Sequence, residues 1–351
     1  MTRMLPHRTG SGMKNNRNDQ AVFSAFAAMA FLVSAAFILP ACVPSYPKEE
    51  LPEAVKNICH LEYGMDVDVM VTDSTMALYY PMEGLLDVGL GISTEAWDKI
   101  SNLILVASRV TLSTDADVKF YCVITQDVRL PELQVVIIKY VEDVKRGMYR
   151  NISRSESYKR TLFSINLTPQ ARKERTVEKV FERLNIEEDT QEKILDEFFR
   201  SPPTKLSDIG YWRGRFYIKD ISLGEFLGAQ IANRIKIDFK QDEHLAEYFS
   251  YKSAESEFIE SPAANSFLLK FKIADQREPD AATNPRVVKV QELVRIANEV
   301  VTGYKFRDFA FMRMIDQLEN VVMTVSEKDI YDFNKKRLPV EEIVQTPAGY
   351  F

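Results

Sequence analysis

A run of 21 uncharged residues, 21–41, is the feature that most limits how this chain can fold. It reads AVFSAFAAMAFLVSAAFILPA, and an apolar stretch of this length can span a bilayer as a helix. Lys14 and Arg17 precede it, so a positive start, an apolar core and small residues at its end follow one another as they do in an export signal. No other part of the 351-residue sequence is apolar over such a length. The rest of the chain is therefore predicted to form a globular body without a further membrane-spanning helix.

The apolar run ends in the four residues Leu39-Pro40-Ala41-Cys42. This ending resembles the lipobox of bacterial lipoprotein precursors, in which Leu and two small residues precede a Cys; here Pro40 stands where Ser, Thr, Ala or Val is typical. The resemblance implies that residues 1–41 are a signal peptide and that the thiol of Cys42 receives a diacylglyceryl group. It also implies that the new amino terminus is acylated with a fatty acid such as palmitate. The resemblance covers only the amino terminus, because the sequence after Cys42 resembles no family.

Two other outcomes remain open for the same segment: an uncleaved membrane anchor, and a signal peptide that is cut without lipidation. Met13 begins MKNNRNDQ, a normal positively charged start, so residues 1–12 fit either an over-long start or an extended amino-terminal region. In the lipoprotein family of diderm bacteria, Asp directly after the lipidated Cys commonly retains the protein in the inner membrane. Val43 stands at that position, which favours the outer membrane. We expect a cell-envelope protein that faces the periplasm.

Composition and charge describe the part that would be exported. Pro44, Pro47 and Pro52 make residues 42–52 an extended, semi-rigid tether. Four basic residues and one acidic residue precede Val43, so the exported part carries 41 Lys and Arg against 50 Asp and Glu, a net charge of −9. An acidic body is not expected to attract nucleic acid or to act as a polybasic membrane binder. With 46% hydrophobic and 27% charged residues the chain has an ordinary globular composition, and its 3 Cys are too few for a disulfide scaffold.

The pattern of the exported part predicts an α+β fold made of two two-layer units, each an antiparallel sheet with helices on one face. Periodicity in residues 53–153 predicts helix, two strands, helix, two strands and a short helix, and residues 222–351 repeat that order. The shared αββαββ order fits a duplication and also fits two unrelated halves with a common pattern. Residues 154–221 are predicted to be a charged connector of helices and strands, in which residues 211–218 form one strand.

Motifs that would identify an enzyme are missing from the sequence. It contains no HExxH zinc motif, no glycine-rich phosphate loop and no GxSxG nucleophile elbow. Asp66 and Asp68 share one face of a predicted strand and, with Asp73, could offer oxygen ligands to a metal, although a polar solvent face explains the same pattern. We therefore predict no catalytic residue, no cofactor and no metal site.

Two further candidates concern a covalent link and a contact surface. Cys59 and Cys122 could form a disulfide in an oxidising envelope, or remain buried free thiols that act as small apolar side chains. Residues 144–160 carry a local net charge of +5, which could meet anionic lipids or an acidic polymer. A solvated helix face, or internal pairing with the acidic run at 187–197, explains the same pattern. The basic residues of this patch are Lys145, Arg146, Arg150, Arg154, Lys159 and Arg160.

The function that these features favour is a non-enzymatic binding or assembly role at the membrane, because an export signal and a tether occur without a catalytic motif. The expected partners are the membrane, through the lipid anchor, and an envelope protein or polymer, with no nucleic acid. An envelope hydrolase with an unrecognised site and a single-pass membrane-anchored protein are the alternatives. A cleft that holds a carboxylate or Lys of strongly shifted pKa would favour the hydrolase, whereas exposed apolar patches would favour binding.

Overall fold

The computed structural model describes residues 46–89, 91–276 and 284–333. The predicted signal peptide, Cys42 and the start of the predicted tether lie outside these residues. Within them the predicted α+β fold is confirmed, with two αββαββ units joined by a connector of helices and strands. Two details of the prediction are wrong: the sheet of each unit contains one parallel pair of strands and so is not wholly antiparallel, and the sheet of the first unit is covered on both faces. No helix in these ranges combines the length and the apolar character that crossing a membrane requires.

The first unit packs two helices against one face of a mixed sheet. In chain order its elements are α1 (Leu51–Tyr63), β1 (Asp68–Thr72), β2 (Thr75–Met82), α2 (Thr94–Leu112), β3 (Phe120–Asp127) and β4 (Leu130–Tyr140). β1 pairs with β2 and β3 with β4 in the antiparallel sense, whereas β2 and β3 are parallel. The parallel pair follows from α2, whose 19 residues return the chain along the sheet before β3 begins.

The connector adds one strand to this sheet. Its elements are α3 (Val141–Met148), α4 (Arg154–Lys159), β5 (Leu162–Leu167), α5 (Pro169–Leu184), α6 (Glu188–Phe198), β6 (Gly210–Trp212) and β7 (Arg215–Tyr217). β5 pairs antiparallel with β4, so the strand order is β1-β2-β3-β4-β5. The single strand predicted over 211–218 is wrong. Arg213 and Gly214 have φ angles of 48° and 73°, and two successive positive values make the tight turn of a hairpin.

The second unit repeats the arrangement of the first. Its elements are α7 (Leu223–Gln241), α8 (Glu243–Tyr248), β8 (Phe249–Ile259), β9 (Ser266–Asp275), α9 (Pro285–Gly303), β10 (Phe311–Asp316), β11 (Val321–Ser326) and α10 (Glu327–Phe333). The sheet order is β11-β10-β9-β8, again with one central parallel pair, β9 with β10, between two antiparallel pairs. The two units therefore share strand order and strand direction as well as the predicted element order.

The units stack as four layers in the order helix, sheet, helix, sheet. α1 and α2 cover one face of the first sheet with a hydrophobic cluster of their own. α7 covers the other face, where the ring of Phe226 lies 5.2 Å from the ring of Phe120 on β3. α7 and α9 also cover one face of the second sheet. The opposite face of that sheet presents polar side chains such as Lys272 and Thr324 to solvent, so the second unit shields the first sheet and ends the stack in a polar surface.

Candidate functional site

A groove of about 610 Å³ lies where the edges of the two sheets face each other across α7. β4 and β5 line it from the first sheet, β8 lines it from the second, and residues 204–207 close it at one side. Its lining combines apolar side chains with a few polar ones. The lining residues are Val136, Ile138, Leu162, Phe163, Ser164, Thr204, Lys205, Leu206, Ser207, Glu225, Ala229, Ala232, Asn233, Ala254, Glu255, Ser256, Glu257 and Phe258.

β5 and β8 face the groove with their edges. Three consecutive residues of β5, 162–164, and five consecutive residues of β8, 254–258, line it. Because successive side chains of a strand alternate between its two faces, only an edge can present them all to one cavity. In the described part of the chain both strands are terminal in their sheets. Their outward backbone N–H and C=O groups can therefore pair with another extended chain.

Small residues on α7 set the distance between this helix and β8. A Cβ added at Gly224 would lie 2.3 Å from the ring of Phe258, and one added at Gly228 would lie 3.3 Å from the backbone oxygen of Ser256. Gly224 and Gly228 are four residues apart, so they lie on one face of the helix. The two glycines therefore let the helix backbone approach the strand, and this approach keeps Phe258 at the wall of the groove.

The exposed edge of β5 is uncharged, and the side of the strand turned away from the groove is apolar. Its sequence, LFSINL, contains no charge and no proline. Ile165 and Leu167 are 36% and 47% exposed. Trp97 of α2 is 41% exposed and its ring lies 6.3 Å from that of Phe163. Edge strands of soluble proteins are commonly protected by charges, proline or a covering element, and β5 itself carries neither a charge nor a proline.

The polar side of the groove is acidic. Lys205 Nζ lies 2.5 Å from Glu257 Oε1. The hydrogen bond from Lys205 lowers the pKa of Glu257, and the same bond raises the pKa of Lys205, so both groups stay charged at neutral pH. Glu225 pairs with Lys219 outside the lining, and Glu255 also borders the cavity. The groove thus presents more negative than positive charge to a ligand.

This arrangement suits binding better than general acid catalysis. A catalytic acid needs a carboxyl group whose pKa is raised toward neutrality, whereas the pKa of Glu257 is lowered. Burial lowers the pKa of Lys139, but this residue alternates along β4 with Val136 and Ile138, which line the groove, and so lies on the opposite face of the sheet. Ser256 Oγ is buried without a hydrogen-bond partner among the described residues.

The two candidate cysteines do not form a disulfide. Cys59 and Cys122 are both free and buried. Cys59 belongs to the cluster under α1 and α2, and Cys122 belongs to the cluster on the other face of the first sheet. The sheet itself therefore separates the two thiols. The two cysteines are instead buried free thiols that pack as small apolar side chains, which is the alternative that the sequence left open.

Four of the six basic residues in 144–160 have partners inside the protein, and one of them, Lys145, lies 3.6 Å from Glu142. Arg160 is buried and its guanidinium lies 2.9 Å from Asp143 Oδ1, 2.7 Å from Glu156 Oε1 and 4.7 Å from the centre of the Tyr304 ring. Arg146 donates a hydrogen bond of 3.0 Å to the backbone oxygen of residue 303. These contacts tie α3 and α4 to the end of α9.

The fourth partnered residue, Lys159, lies 3.5 Å from Asp238 on α7. The predicted pairing of the basic patch with the acidic run at 187–197 is therefore wrong, because the carboxylates that meet it come from α3, α4 and α7. In that acidic run, Asp196 pairs instead with Arg215, at 3.5 Å. Lys145, Arg150 and Arg154 remain exposed on the surface.

The aspartates considered as metal ligands have separate partners. Asp66 Oδ1 lies 2.8 Å from His60 Nδ1, and Asp68 Oδ2 accepts a hydrogen bond of 2.7 Å from the hydroxyl of Tyr211. Asp73 occupies the turn between β1 and β2 with a φ of 49°. Across the described ranges, no group of three or more His, Cys, Asp or Glu side chains is placed to hold a metal ion.

The groove was not predicted from the sequence. It joins β5, α7 and β8, which periodicity identifies separately without showing that two strand edges meet. Two signals point to it in retrospect: the four-residue spacing of Gly224 and Gly228 in a helix, where glycine is otherwise unfavourable, and the uncharged residues 162–167.

Comparison with known proteins identifies no relative: no protein-family model, no curated protein and no solved structure matches this chain.

Proposed function

We propose that this protein is a lipid-anchored protein of the cell envelope that binds an extended segment of another envelope protein along the β5 edge of the groove. The lipobox-like end of the apolar run, Leu39 to Cys42, supports the anchor. One observation carries the binding role: β5 is an uncharged terminal strand whose apolar side chains border both the groove and the exposed surface beside Trp97.

An incoming segment would add a sixth strand to the first sheet. Main-chain hydrogen bonds to the β5 edge would supply affinity, and alternate side chains would supply specificity. One set would enter the groove beside Leu162 and Ser164. The other set would pack on Phe163, Ile165 and Trp97 on the opposite face. Binding would thereby cover an edge that otherwise invites uncontrolled pairing.

Charge restricts which segment would bind. Glu225, Glu255 and Glu257 line the groove against a single lining cation, Lys205. A segment rich in Asp or Glu would be repelled by this excess, while Lys or Arg at one of the groove-facing positions would be attracted. The expected ligand is an extended segment with alternating apolar residues and a neutral or basic side chain at the groove.

The envelope hydrolase remains the second hypothesis from the sequence. No observation at the groove favours it, because the Lys205–Glu257 pair holds the carboxylate ionised and the amine protonated. A general acid or a neutral amine nucleophile would require the opposite shifts in pKa.

Metabolic labelling with a fatty-acid probe tests the anchor. The wild type is expected to incorporate the label and Cys42→Ala is expected to lose it. Absence of label from both proteins would contradict lipidation. Intact mass would then distinguish a cleaved, unlipidated chain from an uncleaved membrane anchor.

Site-specific photocrosslinking in cells tests the binding role. A photoreactive phenylalanine at position 167 is expected to crosslink to one envelope protein, and mass spectrometry should place the link in an extended, alternating segment. The same group at the exposed Leu318, in the turn after β10, is the control and should give no such product. In the 167 background, Ile165→Lys should abolish the crosslink because a charged edge opposes strand pairing, whereas Ile165→Val should preserve it.

Two crosslinking results would contradict the proposal. A link from position 167 to the protein's own chain or to a second copy would assign the edge to another occupant. Equal products from positions 167 and 318 would show that the capture reflects exposure alone.

A further inference from the structure

The corner between α3 and α4 exposes three large side chains. Met148, Tyr149 and Tyr158 are 68%, 76% and 65% exposed. The two helices meet at Gly147 and Ser157, where a Cβ on the glycine would lie 3.8 Å from the serine hydroxyl oxygen. Because Met148 and Tyr158 directly follow these two residues, the exposed side chains belong to one corner of the molecule.

Two arginines make this corner positively charged. Among the described residues, neither Arg150 nor Arg154 has a carboxylate at ion-pair distance, whereas Lys145 lies 3.6 Å from Glu142. Arg154 and Tyr158 are four residues apart on α4 and so share one face of the helix. An exposed aromatic and basic corner on an otherwise acidic body has the composition that anionic lipid surfaces attract.

The amino-terminal segment joins the body at the same end of the first sheet. The N–H of Tyr46 donates to the Ser113 oxygen at 3.2 Å, directly after α2. The N–H of Val141, at the start of α3, donates to the Lys119 oxygen at 2.8 Å, directly before β3. Cys42 lies four positions before Tyr46, and an extended chain spans about 3.5 Å per position, so at most about 14 Å. With the proposed lipid on Cys42, this end of the body would stay close to the bilayer.

We propose that the α3–α4 corner is a second membrane contact, in which Arg150 and Arg154 bind the phosphates of anionic lipids and Met148, Tyr149 and Tyr158 enter the interface. Arginine matches phosphate geometry, and tyrosine suits the boundary between headgroups and acyl chains. This contact is independent of the groove. Only its closeness to the anchor rests on the proposed lipidation.

Vesicle co-sedimentation of the chain from Val43 onward, without lipid, tests the corner by itself. This part has its own cores, because all members of the three hydrophobic clusters lie between Tyr46 and Phe333. The protein is expected to bind phosphatidylcholine vesicles that contain about one third phosphatidylglycerol, to bind pure phosphatidylcholine far less, and to be released by salt. Because this assay uses protein without lipid, its result is independent of whether Cys42 is labelled by a fatty acid.

Arg150→Gly with Arg154→Ser is the decisive variant. Arg150 has a φ of 57°, a conformation that glycine adopts without strain, so the change removes charge without harming the fold. A basic residue near an anionic surface strengthens binding roughly fivefold, so loss of both should lower the partition coefficient about 25-fold. Arg172→Ser with Arg183→Ser removes the same charge from exposed positions on α5 and should change binding by less than about twofold.

A separate pair, Tyr149→Ser with Tyr158→Ser, tests insertion and should weaken binding to the anionic vesicles several-fold. Melting temperatures of all variants should match the wild type. The proposal is overturned if the protein binds neither kind of vesicle, if the two arginine pairs lose binding equally, or if the tyrosine pair binds like the wild type. Retention on polyglutamate without vesicle binding would assign the corner to an acidic polymer and would overturn it as well.

Discussion

Asp127 and Asp316 occupy the same place in the two units: each is buried, ends the third strand and accepts a hydrogen bond from the backbone two residues farther along. The N–H of Arg129 donates to Asp127 Oδ1 at 2.8 Å, and the N–H of Leu318 donates to Asp316 Oδ1 at 2.9 Å. A short carboxylate that bonds its own turn favours a hairpin at this point. The similarity of the units thus extends from strand order to the chemistry of a turn.

We predict that Ala at either position destabilises the protein by about 1–3 kcal/mol, because the turn loses the hydrogen bond from its backbone N–H to a charged carboxylate. Asp98, which is exposed on α2, provides the control, and Asp98→Ala should change the free energy of unfolding by less than about 0.5 kcal/mol. Urea unfolding measures all three variants. The role of the two turns would be refuted if Asp127→Ala or Asp316→Ala were as stable as Asp98→Ala.

Lys289 is predicted to be a strong determinant of stability in the second unit. Its buried Nζ lies 3.1 Å from Asp275, 3.1 Å from Glu319 and 3.4 Å from Asp316. Lys289→Met should destabilise the protein by about 3–5 kcal/mol, because the buried carboxylate of Asp316 loses its cation. Lys236→Met, at an exposed position of α7, should have little effect on urea unfolding.

A double-mutant cycle separates the contact between Lys289 and Asp316 from the hydrogen bond that Asp316 accepts in its turn. Asp316→Asn should destabilise the Lys289→Met variant less than the wild type, because the contact is already lost. Asp127→Asn should destabilise both backgrounds equally, since Asp127 lies in the other unit. Coupling of the same size in both cycles would contradict the contact.

The pKa of Lys289 predicts how stability changes at alkaline pH. Burial alone would lower this pKa, but hydrogen bonds to Asp275 and Glu319 outweigh burial and raise it above the ordinary value. The stabilisation is therefore complete below the lysine pKa of the unfolded chain, about 10.4, and is lost as pH rises through the higher folded value. Above about pH 10.4 the wild type should lose stability more steeply than Lys289→Met, and parallel pH profiles from urea unfolding would argue against this.

The order of helices and strands could be predicted because hydrophobic periodicity is a local property. Val55 and Cys59 are four residues apart, which places them on one face of a helix, and both belong to the buried face of α1. Thr168 is the N-cap of α5, and its side chain accepts a hydrogen bond from the N–H of Ala171. Pro169 is the first residue of the helix, a position that proline favours.

Tertiary relationships could not be predicted in the same way. The placement of Cys59 and Cys122 on opposite faces of a sheet depends on which strand the second helix returns to, and no local pattern specifies this. Charge alone likewise does not distinguish Arg160, which is buried among carboxylates, from Arg150, which is exposed. The groove depends on two edges that only the stacking of the units brings together.

The two thiols are predicted to be unreactive in the folded protein. Burial raises the pKa of Cys59 to about 11 and that of Cys122 to about 12, so little reactive thiolate forms at about pH 8. In the chain from Val43 onward, Ellman's reagent should detect no thiol until urea is added and two thiols afterwards. Mild oxidation should leave the intact mass unchanged; a loss of two hydrogens would indicate the disulfide that the structure excludes.

Gly224 and Phe258 provide the sharpest test of the packing that forms the groove. Alanine favours a helix over glycine by about 1 kcal/mol, yet Gly224→Ala should destabilise the protein by about 1–3 kcal/mol. The reason is that its Cβ would lie 2.3 Å from the Phe258 ring. In a Phe258→Ala background the obstacle is absent, so Gly224→Ala should become neutral or stabilising. Urea unfolding of the four proteins measures the coupling.

The same cycle links the packing to the proposed binding role. Phe258 lines the groove, so Gly224→Ala should displace its ring and weaken crosslinking from position 167 to the partner. The proposed labelling of Cys42 should not change, because the lipobox-like residues 39–42 are far in sequence from both substituted positions. If the destabilising effects of Gly224→Ala and Phe258→Ala were additive, the helix and strand would not be in the close contact on which this groove depends.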